Sequence, residues 1–142
     1  KEITAMHIAV RTSLPDNPLF IDGNAEQLGK TIMSLLNNGM YAIAKKYGKK
    51  AYPAEIGLAL ESKDGQVVIR LYDNGVGIEQ SILDKIFDPF FTTKTTGEAA
   101  GIGLYLSKEI ILNHHGQIAV RSEKDELTEF TITLPLWEEK SV

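Results

Sequence analysis

The chain is expected to fold as a two-layer α/β sandwich: a mixed, mainly antiparallel sheet with about three helices on one face. Three observations predict it. Leu28, Ile32, Leu35, Leu36, Met40 and Ile43 recur at helical spacing over some twenty residues. Strand-like runs occur in pairs, Glu55 to Glu61 with Val67 to Tyr72, and Gln117 to Ser122 with Thr128 to Leu134. Strands and helices also succeed each other without a repeat or a boundary linker, so one core must serve all of them.

Taken in order, Ile3 to Val10 reads as a strand, closed by the Pro15-Asp16-Asn17-Pro18 turn. Leu19-Phe20-Ile21 reads as a short strand ending at Asp22-Gly23. Asn24 is placed to cap the long helix, which should run to Tyr47 and close at Gly48. Lys63-Asp64-Gly65 forms the turn of the first hairpin. A glycine-rich loop, Asp73 to Gly77, leads into a short helix from Glu79 to Ile86. Residues 87–101 form a long loop of the kind that in a compact domain serves function. A last helix spans Gly103 to Asn113, with Gly116 suited to its end, before the final strand pair.

Composition narrows the function. The 142 residues are 43% hydrophobic and 24% charged, which suits a single globular domain over 1–142 and excludes a disordered chain. A net charge of −4 provides no basic field for nucleic acid or an acidic membrane. Without cysteine there is neither a disulfide nor a thiolate metal site. The three histidines, His7, His114 and His115, lack metal-ligand spacing. No apolar run reaches the roughly 20 residues of a membrane span. The expected location is the cytoplasm, with a membrane-anchored parent protein left open.

Four places can carry chemistry. Asp73, at the end of an apolar strand beside Gly75 and Gly77, is either an ordinary Asp-Asn-Gly turn or a buried acceptor over which a flat ligand can approach the backbone. Gly101-Ile102-Gly103-Leu104 opens a helix, so it is either a tight helix entry or an anion site of backbone amides. It matches neither a Walker loop nor a dinucleotide fingerprint. Asn38 interrupts an apolar helix; it is a solvated polar residue or an oxygen ligand for Mg²⁺. Lys94, in a threonine-rich loop, is a surface charge or a mobile cation for a polyphosphate.

Their order matters more than any one of them. The helix Ile32-Met33-Ser34-Leu35-Leu36-Asn37-Asn38-Gly39-Met40-Tyr41-Ala42 resembles the N box of the GHKL superfamily of ATP-binding domains, and Asp73-Asn74-Gly75-Val76-Gly77-Ile78 resembles its first glycine box. Ile86-Phe87-Asp88-Pro89-Phe90-Phe91-Thr92-Thr93-Lys94 is similar to the F box of sensor histidine kinases, and Gly101-Ile102-Gly103-Leu104 to the second glycine box. Thr128 to Pro135 resembles the family's last strand. The resemblance covers nearly the whole chain and implies a catalytic and ATP-binding domain with a Bergerat-type fold.

On that resemblance, Asp73 holds the adenine amine, with Gly75, Gly77 and Ile78 beside it and Thr128 reaching the base through water. Asn38 ligates Mg²⁺ between the phosphates, and Lys94 with the amides of Gly101 and Gly103 meets the triphosphate under a lid of residues 87–103. Asn38 and Lys94 thus serve the phosphoryl transfer, and Leu104 packs under the nucleotide. Phe87, Phe90 and Phe91 brace the lid and face a helical domain. ATP and Mg²⁺ are the implied cofactors. The implied partners are the protein's own dimerisation and phosphoacceptor domain, expected upstream in a homodimeric parent, and a response regulator, with no nucleic acid and no direct membrane contact.

Departures also carry meaning. Relatives that hydrolyse ATP themselves carry a glutamate base at the place of Ser34, and a serine has no suitable pKa for that work. Gly39 stands where alanine is usual, Tyr105 where a third glycine is, and Tyr41 near where a basic residue is frequent, which leaves phosphate neutralisation to Mg²⁺, Lys94 and Lys45. The phosphoacceptor histidine motif is missing. Two rivals to a histidine kinase follow: a degenerate nucleotide-binding scaffold, and an ATPase-type conformational switch.

Overall fold

The computed structural model describes residues 7–47, 53–91 and 104–138. The long helix α1 spans Ala25–Tyr47 and starts as its sequence dictates: the Asn24 side-chain oxygen accepts the Gln27 N–H at 2.9 Å. Glu26 in its first turn and Lys45 and Lys46 in its last complement the helix dipole. Thr31, Leu35, Gly39 and Ile43 form its buried stripe. Its expected stop at Gly48 lies outside the described residues.

Among the described residues five strands form one sheet in the order β1-β2-β3-β5-β4, with β1 Ala9–Ser13, β2 Glu55–Lys63, β3 Gln66–Asp73, β4 Gln117–Glu123 and β5 Leu127–Pro135. Only the β1–β2 pair is parallel. Asp64 and Gly65, both at positive φ (54° and 77°), make the two-residue turn that joins β2 to β3. Leu71, Phe130, Ile132 and Leu134 face the helices and pack with Leu35, Ile86, Leu104 and Ile111 into the main core. The opposite face carries the ion pairs Arg70–Glu61 (3.3 Å), Arg121–Glu129 (3.6 Å) and the Arg11–Glu55–Tyr72 cluster, around a buried Val68.

Helix α1 lies over β2 and β3, while α2 (Gln80–Leu83) and α3 (Tyr105–Asn113) lie over β4. The sandwich expected from the sequence is therefore present. Four local expectations differ. The first strand runs from Ala9 to Ser13, not from Ile3 to Val10, whose first four residues lie outside the described set. As an edge strand it is exposed at every residue, so apolar content does not mark it. Leu19-Phe20-Ile21 is no strand. The Trp137 N–H to Phe20 carbonyl bond (2.7 Å) and an edge-on Phe20–Trp137 ring contact anchor it instead.

The helix expected over Glu79 to Ile86 is shortened to four residues. Ile86 leaves it to become fully buried, and its carbonyl accepts the Leu104 N–H at 3.1 Å. At the end of α3 the left-handed residue is His115 (φ 62°), not Gly116. The His115 N–H bonds the Leu112 carbonyl and the Gly116 N–H the Ile111 carbonyl, both at 3.0 Å, which closes the last turn.

Candidate functional site

A cavity of about 320 Å³ opens between α1, the loop after β3, the start of α2 and the β4–β5 hairpin. Asn38, Tyr41, Ala42 and Lys45 line it from one side of α1, a spacing of three, four and seven residues that keeps them on one helical face. Asp73, Gly77, Ile78, Thr128 and Phe130 line the sheet side. Glu79, Lys124 and Asp125 stand at the hairpin end, where the Lys124 ammonium meets the Glu79 carboxylate at 2.9 Å.

Asp73 is the last residue of β3 and faces the helices, because its register partners Ile56 and Thr128 lie on the same side of the sheet. It is 6% exposed. Burial raises its carboxyl pKa from 3.8 to about 6, against the opposing pull of the Gly75 N–H (2.9 Å) and, more weakly, Lys46. Among the described residues this carboxylate has no ion-pair partner, and holding it so dry is costly for the fold. That combination marks sites rather than scaffolding.

The loop after Asp73 is held from several sides. Asn74 replaces a strand residue with its side chain: its Oδ1 accepts the Glu55 N–H and its Nδ2 donates to the Pro53 carbonyl, both at 2.8 Å. The Lys46 ammonium donates to the Asn74 and Asp125 carbonyls, tying loop to hairpin. Gly75 approaches α1 so closely that a Cβ would come within 2.5 Å of the Ala42 carbonyl carbon. At Gly77 φ is +72°, and a Cβ would sit 2.2 Å from the Glu123 carbonyl oxygen. Both glycines set backbone packing, and only Gly77 also lines the cavity.

Two residues that sequence reading did not single out complete the sheet side. The Ser122 hydroxyl, 3% exposed, accepts the Ile78 N–H at 2.8 Å, donates to the Leu127 carbonyl at 2.7 Å and lies 2.8 Å from the Thr128 hydroxyl. Its one sequence signal was a polar residue at an inward position of an alternating strand. Asn74 is the other; it passed as turn chemistry.

On the α1 side, Asn38 is half-buried and its Nδ2 is buried with no hydrogen-bond partner. An amide left uncommitted on a cavity wall is available to a ligand. Among the described residues no cluster of three or more His, Cys, Asp or Glu forms a metal cage. The uncommitted atom is the amide nitrogen, a donor that fits an acceptor oxygen of a ligand; a cation such as Mg²⁺ would be taken by the amide oxygen together with the ligand's own oxygens.

Of the residues the sequence points to, Asn38, Asp73, Gly77, Ile78 and Thr128 meet at this cavity. Leu104, 1% exposed, belongs to the main core, and Gly75 packs against Ala42 of α1 without lining the cavity. Lys94, Gly101 and Gly103 lie outside the described residues. Ser34 is exposed in a separate groove with Asn37 and Leu106. Phe87 stacks edge-on against Phe130 (6.4 Å), whereas Phe90 stands fully exposed at φ 65°.

Residues 23–138 match the family of histidine kinase-, DNA gyrase B- and HSP90-like ATPases. The chain belongs to this family. Its relatives narrow the branch: it is 33% identical over 129 residues to the two-component sensor PprA of Pseudomonas aeruginosa, covering 91% of this chain and 14% of that protein. To the signal transduction histidine-protein kinase AtoS of Escherichia coli it is 39% identical over 122 residues, 85% of this chain and 19% of that one. The chain thus spans less than a fifth of either relative. The nucleotide-free catalytic domain of the histidine kinase ThkA superposes with a TM-score of 0.72 at 26% identity, covering 90% of this chain and 78% of that one. The fold and family are those of histidine-kinase ATPase domains of two-component sensors. No helix among the described residues is long and apolar enough to cross a membrane.

Proposed function

We propose that this chain binds Mg²⁺-ATP and presents the γ-phosphoryl group to a histidine on a separate helical domain. The observation that carries the reading is Asp73: a buried carboxylate with a raised pKa on the wall of a cavity sized for a nucleotide. Gly75 occupies one of its oxygens, and an adenine amine is a fitting donor for the other. Thr128 adds an acceptor beside it, and Gly77 and Ile78 shape the base slot.

At the other end, the Asn38 amide would hold Mg²⁺ through its oxygen, and the ion would supply charge neutralisation at the phosphates. Lys94 and the amides of Gly101 and Gly103 are assigned to the triphosphate on the strength of the family resemblance. The protein's own work is positioning. It fixes the base with oriented acceptors, excludes water at Ile78 and Phe130, and leaves the phosphates directed toward an incoming nucleophile. Neutral imidazole nitrogen is already a competent nucleophile, so no glutamate base is required, which agrees with a serine at position 34. This favours a kinase over an ATPase switch.

Phe90, fully exposed beside the half-buried Phe91, supports docking to a helical domain. A homodimeric parent and a response regulator as acceptor of the phosphoryl group complete the proposal. The test is reconstitution. The chain is mixed with a purified dimerisation domain carrying the phosphoacceptor histidine and with γ-labelled Mg²⁺-ATP. Acid-labile, base-stable label on that domain supports the reading; nucleotide binding without transfer to any such domain would favour the scaffold.

A further inference from the structure

The sheet wall of the cavity contains a small hydroxyl network whose proton directions can be assigned. Ser122 has one proton. The Leu127 carbonyl oxygen, 2.7 Å away, can only accept, so that proton is spent there. Ser122 Oγ also accepts the Ile78 N–H at 2.8 Å. Its 2.8 Å contact with Thr128 Oγ1 must then be made by the Thr128 proton, since a proton directed from Ser122 to Thr128 would leave two acceptors 2.7 Å apart at Leu127. Both hydroxyls are more than nine-tenths buried, at 3% and 4% exposure, so water does not scramble the arrangement.

We propose that Ser122 is a positioning residue that sets the polarity of base recognition, by holding Thr128 as an obligate acceptor toward the cavity. Thr128 pairs with Asp73 across β3 and β5, so the wall presents two side-chain acceptors and no side-chain donor at that point. The ligand edge it fits carries donors: an exocyclic amine, or a water whose protons are already directed at the wall. A purine bearing a carbonyl in place of that amine meets lone pair against lone pair. Ser122 touches no ligand and acts only through Thr128 and the Ile78 amide. This assignment rests on the adenine-nucleotide reading above.

The experiment is calorimetric titration of the chain with Mg²⁺-ATP and Mg²⁺-ITP, for wild type, Ser122→Ala and Ser122→Cys. Inosine replaces the amine by a carbonyl and the N1 acceptor by an N–H donor, and leaves the ribose and phosphates unchanged, so the change of the ATP-to-ITP ratio between wild type and variant, not the ratio itself, is what reads Ser122. Wild type is expected to favour ATP. Once Ser122 no longer accepts its proton, Thr128 can rotate to donate into the cavity, and the ATP-to-ITP affinity ratio should narrow by about five- to tenfold. Ser122→Cys fills the same buried space with a much poorer acceptor and gives the same shift if the alanine variant does not fold. A merely structural serine would lower the melting temperature and leave the ratio unchanged; that result in a folded variant overturns the assignment of Ser122 alone. Wild type that binds neither nucleotide overturns the nucleotide reading and this assignment with it.

Discussion

The two ends of the cavity are built on opposite principles. At the hairpin end four polar side chains are tied down: Ser122 to three partners, Asn74 to β2, Lys46 to two carbonyls, Lys124 to Glu79. On the α1 side the Asn38 amide nitrogen is buried without a partner, and Lys45 lines the cavity with no ion pair or hydrogen bond among the described residues. A flat aromatic base can be recognised by fixed acceptors prepared in advance. A metal and a flexible polyphosphate cannot be, because their donors and charges arrive together, so the groups meant for them stay uncommitted until they do. The contrast is between recognition built into the fold and recognition completed by the ligand.

The largest expected effect is at the prepared end. Gly77→Ala drives a methyl into the Glu123 carbonyl at a positive φ and should destabilise the chain by about 2–4 kcal/mol, read as a fall in melting temperature. Next is the price of keeping Asp73 buried. A carboxyl pKa raised from 3.8 to about 6 contributes stability that is complete below about pH 4 and lost as pH rises through 6. Asp73→Asn should therefore be more stable than wild type at pH 7, by up to on the order of 3 kcal/mol, and converge with it below pH 4 in thermal melts. The same ionisation shapes binding. With the carboxylate as acceptor, ATP affinity should be flat above about pH 6 and fall about tenfold per unit below it, an acid limb absent from Asp73→Asn.

Phe90→Ala separates docking from nucleotide binding. The ring is fully exposed, so stability should change by less than about 0.5 kcal/mol and ATP affinity not at all, while transfer to a helical phosphoacceptor domain should drop by roughly tenfold. The smallest effect is at Gly39, whose absent Cβ would lie 3.3 Å from an Asp73 carboxylate oxygen. Gly39→Ala should shield that oxygen and move the acid limb of ATP binding upward by a few tenths of a pH unit, worth under about 0.5 kcal/mol.

Much of this was legible in the sequence, for identifiable reasons. Helix α1 was readable from its 3.6-residue apolar rhythm and its Asn24 cap, because packing and local chemistry agree there. Strand β5 alternates because one face packs on the helices, whereas β2 and β3 were readable from their apolar runs and the turn between them. Strand β1 was misplaced because an edge strand exposed at every residue follows its partner's register, not its own hydrophobicity. The short helix after Gly77 was drawn too long because Ile86 is claimed by a tertiary bond to Leu104. At the cavity, Asp73 and Asn38 stood out as polar residues where apolar ones were due. Ser122 did not, since a serine in a strand signals nothing until Ile78, Leu127 and Thr128 are brought around it from distant positions.

The central claim is that the buried Asp73 carboxylate exists to hold a nucleotide base. Calorimetric titration of Mg²⁺-ATP into wild type and Asp73→Asn at pH 7.5, with thermal melts of both, tests it most directly. The account predicts binding by wild type, a loss of about 1–3 kcal/mol of affinity in the variant, and a variant at least as stable as wild type. Equal affinity in the two proteins, or a variant that loses stability while keeping its affinity, would contradict it.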